Sequence, residues 1–293
     1  MLNRRIYHSL AVLSAALVLF TACKPKEPAA QNTIYVSIFP LRSLLYDIVG
    51  DDFPIEVLVP AGASPETFEP TPRQFATLNQ ARMIFNVGLI DFETTLLGKL
   101  ENQQRIIHLN EGIELIAGSC SHTSASEGDA HHHAHGIDPH IWLSPKALRR
   151  MAANAYEAIR KDCPDSAKYE RNYRQLDARL AELDRQTARL IDESGVDRFI
   201  IYHPALTYYA RDYGLQQIAI ETDGKEPSAR HLARLIQQAK AHRVHKLFYQ
   251  SQFPASTVEV IADDIGAETV RIDPLREDVI SNIEEITHSI TAK

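Results

Sequence analysis

The chain has 293 residues, of which 24% are charged and 44% hydrophobic, and its formal net charge at pH 7 is −7. This length is enough for one large domain or for two lobes. An acidic chain lacks the basic surface that nucleic-acid binding requires, so we expect no nucleic-acid partner and regard cations as more suitable ligands.

The first 22 residues have the pattern of an export signal. Arg4 and Arg5 precede an apolar run, residues 10–20, which is too short to span a membrane as a helix. The run ends in small residues before Cys23, an arrangement that resembles a lipobox. We therefore expect a lipoprotein signal peptide over residues 1–22, a lipid on Cys23 and a polar tether over residues 23–32. The protein would be exported and anchored to a membrane, on its periplasmic or extracellular face. An ordinary signal peptide with an incidental cysteine is the alternative.

From residue 33 onward, short strand-like runs alternate with amphipathic stretches, which is typical of a parallel sheet covered by helices. The first half has predicted strands at 34–39, 55–59 and 83–87, and predicted helices at 41–49, 72–81 and near 92–100. A Ser-, Gly- and His-rich segment, residues 119–136, breaks this pattern and predicts a loop. We assign residues 33–164 to an N-terminal α/β lobe that carries this loop.

Apolar residues then recur at spacings of three and four from Tyr173 to Leu190, which predicts one long helix over residues 165–194. Such a helix extends roughly 42 Å at 1.5 Å per residue, which is longer than one lobe is wide. The alternation restarts in residues 195–293, with predicted strands at 198–202, 216–220, 246–249 and 268–272 and predicted helices up to 213 and at 228–241, 256–265 and 279–290. The predicted fold class is therefore α/β, with two similar lobes, each a mostly parallel sheet flanked by helices, joined by one long backbone helix.

Four metal-capable side chains lie where such a fold binds ligands, beyond the carboxyl ends of strands. Glu66 follows the strand at 55–59, His203 ends the strand at 198–202, Asp273 ends the strand at 268–272, and His140 lies in the stretch DPHIWLSP. A cleft between the lobes would gather the four around one cation. Each also has a local explanation, such as a solvated carboxylate, an ordered loop histidine, a helix cap or a turn.

Several further stretches follow one another in a specific order: PAGASPETFEP, NVGLIDFE, DPHIWLSP, YERNYRQL, YHPALTYYARDYGL, GKEPSARHLARLI and FYQSQFPASTVEVIADDIGAETVRIDPL. In this order, over nearly all of the mature chain, they resemble the substrate-binding lipoproteins of zinc and manganese ABC transporters, the ZnuA-like family. The resemblance implies metal ligands at His140, His203 and Asp273, whereas Glu66 stands where the family usually has histidine. It also implies a non-enzymatic protein, expected to be a monomer, which delivers a divalent metal to an integral-membrane ABC permease with a cytoplasmic ATPase.

Six of the thirteen histidines lie within residues 122–140. A His-rich loop before His140 is typical of the zinc members of the family, and imidazole suits zinc better than manganese. We therefore predict Zn²⁺ as the bound ion and an auxiliary metal-capturing role for the loop, although a solvated loop without a role is the alternative. The loop ligands would be His122, His131, His132, His133 and His135.

Other interpretations stay open at this point. Because two carboxylates and two imidazoles also occur in manganese members, Mn²⁺ (or iron) is the alternative ion. A secreted zinc hydrolase with Glu66 as general base is a different class, but the sequence has neither HExxH nor GxSxG. An additional adhesin role and a disulfide between Cys120 and Cys163 are undecided. Since histidine ligands must be deprotonated, we expect metal affinity to fall below about pH 6.5.

Overall fold

A computed structural model describes residues 32–118, 136–164, 166–221, 228–242, 244–251 and 255–292. It contains two parallel four-stranded sheets. The N-terminal sheet has the order β2-β1-β3-β4, formed by β1 (Ile34–Val36), β2 (Ile55–Val57), β3 (Met83–Asn86) and β4 (Ile106–His108). The C-terminal sheet repeats this order as β6-β5-β7-β8, formed by β5 (Arg198–Ile201), β6 (Gln216–Ala219), β7 (Lys246–Gln250) and β8 (Glu268–Ile272).

Eight helices of six residues or more flank these sheets in the described ranges. They are α1 (Phe39–Val49), α2 (Pro72–Leu78), α3 (Pro145–Asp162), α4 (Ala167–Ser194), α5 (Thr207–Asp212), α6 (Ala229–Ala241), α7 (Ala255–Ile265) and α8 (Val279–Thr291). Within the same ranges, no helix is both long and apolar enough to cross a membrane. Two similar α/β lobes and one long helix confirm the predicted fold class.

The long helix α4 is defined at both ends by local chemistry. The hydroxyl of Ser166 accepts a hydrogen bond from the backbone N–H of Tyr169, and Gly195, at φ 68°, ends the helix in the left-handed conformation that glycine adopts without strain. Between these caps a buried stripe packs against α1, α3 and α8, so the helix contacts elements from both halves of the chain. The stripe consists of Tyr169, Leu176, Leu180, Leu183, Thr187 and Ile191.

The lobes share one hydrophobic core. It runs without a break from the N-terminal sheet, through α3 and α4, to Phe199, Phe248 and α8 on the inner side of the C-terminal sheet. A second, smaller core lies on the other side of the C-terminal sheet, under α6 and α7, and includes Leu235, Leu247 and Val258. The interlobe region is thus built as protein interior, which favours a fixed relation between the two sheets.

The structure corrects one predicted element of the N-terminal lobe and adds two that the sequence analysis lacks. The helix predicted near 92–100 is a single π-turn, Glu93–Leu97, because the hydroxyls of Thr94 and Thr95 bond back to the carbonyl of Asp91. Strand β4 and helix α3 were absent from the predicted elements. The signal for α3 was present, since Ser144 caps it, Pro145 opens it and its buried residues recur at helical spacing.

Candidate metal site

Three side chains from both lobes meet in the cleft between the sheets. The Oε1 atom of Glu66 lies 3.0 Å from Nε2 of His203 and 3.8 Å from Nε2 of His140, and the two Nε2 atoms are 3.4 Å apart. Two ligands of a tetrahedral zinc ion, each about 2.0–2.1 Å from the metal, are roughly 3.3 Å apart. The three measured distances bracket this value, so the donors are already spaced for one small cation.

These donors line a cavity of about 30 Å³. That volume holds roughly one water molecule, or one ion, and excludes an organic substrate. The wall is completed mainly by apolar side chains, which strengthen the electrostatic attraction of the carboxylate and imidazoles for a cation. The lining residues are Ser64, Pro65, Glu66, His140, Trp142, His203, Gln250, Pro274 and Leu275.

His140 is oriented from behind by Asp138. The Oδ1 atom of Asp138 lies 2.9 Å from Nδ1 of His140 and also accepts the backbone N–H of His140 at 2.8 Å. Burial alone raises the pKa of Asp138, but the charge and hydrogen bonds of His140 outweigh it and lower that pKa below its ordinary value. An ionised Asp138 accepts the Nδ1 proton of His140, so Nε2 is the ring nitrogen left to face the cavity.

His203 is oriented in the same way from the C-terminal lobe. Its Nδ1 atom lies 3.1 Å from Oε1 of Glu221, a buried residue two positions after β6. Gln250, at the end of β7, holds the backbone of His203 twice: its amide nitrogen donates to the His203 carbonyl at 2.7 Å and its oxygen accepts the His203 N–H at 3.2 Å. Strands β5 and β7 flank the point at which the strand order reverses, where open sheets bind ligands.

The charges of Glu66 and His203 are coupled. Burial lowers the pKa of His203, but the carboxylates of Glu221 and Glu66 outweigh it and raise that pKa to about 10. Conversely, burial raises the pKa of Glu66, and the hydrogen bond and charge of His203 outweigh it and lower that pKa. The raised pKa of His203 favours a proton on its Nε2 atom, which a cation must displace before it binds there.

Glu66 is carried by a loop that is more exposed than the histidine segments. Its side chain is 40% exposed, against 8% for His140 and 12% for His203. The loop is supported by Phe68, which packs edge-on against Phe92 with ring centroids 5.1 Å apart. It ends at Thr71, which caps α2 and exchanges hydrogen bonds with Gln74. Glu66 thus approaches the histidines from a supported loop outside the sheets.

Asp273 does not belong to the group of donors that lie within 4.8 Å of one another in the described residues. Its Oδ1 atom accepts the backbone N–H of Leu275 at 3.0 Å, and its carbonyl accepts from Asn282 at 2.8 Å. The two residues that follow it, Pro274 and Leu275, nevertheless line the cavity. The structure therefore brings together three of the four predicted ligands, and the fourth, Asp273, lies outside this group of donors.

The remaining sequence-based assignments lie largely outside the described residues. Cys23, the tether up to residue 31, Cys120 and the loop histidines His122, His131, His132, His133 and His135 are all in this category. Cys163 is described, with its Sγ atom 3.4 Å from a guanidinium nitrogen of Arg82. The sequence leaves its pairing with Cys120 undecided, and Cys120 lies outside the described residues.

Sequence reasoning missed the orienting residues Asp138, Glu221 and Gln250. A positional signal existed for two of them, because Glu221 and Gln250 lie at the carboxyl ends of β6 and β7, as His203 does for β5. For Asp138, proximity to His140 in the chain was the available indication.

Comparison with known proteins agrees with this architecture. The family model described as "ZnuA: Zinc-uptake complex component A periplasmic" matches residues 34–292. The high-affinity zinc uptake system protein ZnuA of Bacillus subtilis is 28% identical over 282 residues, which cover 92% of this chain and 88% of that protein.

A solved crystal structure of ZnuA superposes with a TM-score of 0.79 at 35% identity, covering 88% of this chain and 97% of the other. The zinc-binding lipoprotein AdcA of Streptococcus pneumoniae is 26% identical over 91% of this chain, and this chain spans only 55% of AdcA. With a family match across residues 34–292 and the two-lobed fold in agreement, the chain belongs to the ZnuA family of periplasmic zinc-uptake components.

Proposed function

We propose that this protein captures one Zn²⁺ ion in the interlobe cleft and delivers it for import. The observation that carries the proposal is the convergence of Glu66, His140 and His203, with donor atoms 3.0–3.8 Å apart, on a cavity the size of one ion. The zinc uptake named for the Bacillus subtilis relative and the zinc binding named for the Streptococcus pneumoniae relative support it.

Zinc fits this donor set better than manganese does. Two imidazoles suit a borderline cation, and sites of this kind bind Zn²⁺ more tightly than Mn²⁺. Both imidazoles are backed by a carboxylate, Asp138 or Glu221, which raises their basicity as ligands. The exposed carboxylate of Glu66 is compatible with either metal, so the preference for zinc over manganese comes from the two histidines.

Asp273 completes the ligand set when the metal is bound. It directly follows β8 and directly precedes Pro274 and Leu275, two residues of the cavity wall, and we infer that a rotation of its side chain brings the carboxylate to the ion. Glu66, His140, His203 and Asp273 then form a closed four-ligand shell, which leaves no position for a reactive water. A closed shell supports binding without catalysis and argues against the hydrolase alternative.

Delivery follows from export and anchoring. Lipid on Cys23 holds the monomer at the outer face of a membrane, and the loaded protein docks on an ABC permease whose ATPase lies in the cytoplasm. AdcA is named a zinc-binding lipoprotein, which supports the anchor, and the family is that of a component of a zinc-uptake complex, which supports the partner. The His-rich loop, residues 119–136, acts as a weak accessory that raises the local zinc concentration.

The test is competitive metal titration of the metal-stripped protein against a chromophoric chelator. We expect one zinc per chain at the cleft, and losses of at least about 100-fold in affinity for Glu66→Gln, His140→Ala and His203→Ala, because each removes a direct ligand. Glu69→Gln in the same loop and His288→Ala, both at exposed positions, are matched controls and should bind as the wild type does.

Two outcomes would contradict the proposal. Manganese binding as tight as zinc binding would overturn the choice of metal. Turnover of an ester or peptide by the zinc-loaded protein would overturn the non-catalytic assignment.

A further inference from the structure

The segment that carries His140, residues 138–142, is hydrogen-bonded at both ends to the opposite lobe. At one end the hydroxyl of Tyr208 donates to the carbonyl of Asp138 at 2.7 Å. At the other end the indole N–H of Trp142 donates to the carbonyl of Pro274 at 2.8 Å. Although His140 precedes α3 of the N-terminal lobe, its segment is thus fastened to the C-terminal lobe.

Tyr208 is well placed to act on this segment. It lies in α5, five residues after His203, and is fully buried. Its hydroxyl also accepts the backbone N–H of Ile116 at 3.2 Å, and Ile116 in turn accepts the N–H of Asp138 at 2.9 Å. Burial raises the pKa of Tyr208 to about 12, so the phenol keeps the proton that it donates.

Tyr208 affects the candidate ligand His140 through Asp138. The hydroxyl of Tyr208 fixes the backbone of Asp138, and the carboxylate of Asp138 fixes the ring of His140 at 2.9 Å. On the same lobe, Gln250 and Glu221 fix His203. Hydrogen bonds from the C-terminal lobe therefore hold the segments of both imidazoles, whereas Glu66 lies in the separate loop that follows β2.

We propose that Tyr208 is a positioning residue for zinc binding, whose hydroxyl holds the Asp138–His140 pair against the C-terminal lobe so that His140 and His203 form a preset pair of imidazoles. The inference rests on the proposed zinc-binding function.

Tyr208→Phe tests the proposal, with Tyr209→Phe as the matched control. Tyr209 is the next residue of α5, is equally buried, and makes one hydroxyl bond, to Thr287 at 2.8 Å, on the side of α8. Both variants lose a buried tyrosine hydroxyl and should unfold at a lower denaturant concentration. Only Tyr208→Phe should weaken zinc binding, by about tenfold or more, as found for residues that orient metal ligands.

A double-mutant cycle separates positioning from a general structural effect. If Tyr208 acts through His140, Tyr208→Phe should no longer change zinc affinity in a His140→Ala background, but should keep its full effect in a Glu66→Gln background. Trp142→Phe, which frees the other end of the same segment from Pro274, should show the same pattern, and it replaces Tyr208→Phe if that variant is not recovered folded.

The inference would be overturned if Tyr208→Phe bound zinc as tightly as the wild type does. It would also be overturned if Tyr208→Phe weakened zinc binding equally in the His140→Ala background. Neither result would contradict zinc binding by the wild-type protein. Absence of zinc binding by the wild-type protein would instead overturn the proposed function.

Discussion

The proton on His203 makes zinc binding depend on pH in a measurable way. Nε2 of His203 faces Glu66 at 3.0 Å, and Nδ1 of His203 faces Glu221 at 3.1 Å. Burial opposes the charge, but the two carboxylates outweigh it and raise the pKa to about 10. At pH 7 the ring is therefore an imidazolium, and zinc must displace the Nε2 proton before it can bind there.

The size of the pH dependence of zinc affinity follows from the raised pKa of His203. Three pH units separate pH 7 from a pKa of about 10, and at 1.36 kcal/mol per unit the deprotonation costs about 4 kcal/mol at pH 7. Apparent zinc affinity should rise about tenfold per pH unit between pH 7 and pH 9, with about one proton released per zinc bound. The ordinary pKa of histidine predicts that zinc affinity changes mainly below about pH 6.5. The raised pKa of His203 places the change in zinc affinity at higher pH.

Calorimetric titration in two buffers of different ionisation enthalpy counts the released protons. A competing chelator of known pH dependence should be present in both titrations. We expect about one proton at pH 7.5 for the wild type and fewer for Glu221→Gln, since one of the carboxylates that hold the proton is then neutral. A pH-independent affinity between pH 7 and 9, with no proton released, would refute the assignment of a charged His203.

Further outcomes follow from other parts of the structure. The raised pKa of His203 stabilises the metal-free protein fully below about pH 6.5, and this stabilisation is lost as the pH rises toward 10. The melting temperature of the metal-free protein should therefore fall over this pH range, and it should fall less in His203→Ala. Glu221→Gln should weaken zinc binding by about 10- to 100-fold in chelator competition. Glu93→Ala removes the acceptor of four backbone N–H groups in residues 87–90 and should cost at least about 3 kcal/mol in urea unfolding. Leu180→Ala, at a fully buried position of α4, should cost about 2–5 kcal/mol in the same assay, and a loss below 1 kcal/mol would contradict the shared core.

Much of the fold was accessible from residue pattern. The apolar spacing from Tyr173 to Leu190 predicted α4 to within two residues at its start, and the β-rich runs predicted seven of the eight strands, because both signals are local. The π-turn at Glu93–Leu97 was missed because side-chain bonds to the backbone replace the helical pattern there. Strand β4 has only three residues, too few for a clear alternation.

The sequence predicts which residues form the site better than it predicts how their side chains are oriented. Strand ends and family order indicated Glu66, His140 and His203, which the fold brings together across the cleft. The orienting role of Glu221 depends on β6 lying beside β5, a pairing that no local pattern encodes. The direction of the Asp273 side chain depends on a rotamer and on its bond to the N–H of Leu275, so sequence spacing carries no information about it.

Zinc-edge anomalous diffraction from crystals of the metal-stripped protein loaded with one equivalent of zinc tests the central claim most directly. The expected result is one anomalous peak in the cleft, bonded at about 2.0–2.2 Å to Glu66 and to the Nε2 atoms of His140 and His203. A peak elsewhere on the chain, or one in the cleft without both histidine bonds, would contradict the claim that these three side chains bind the metal.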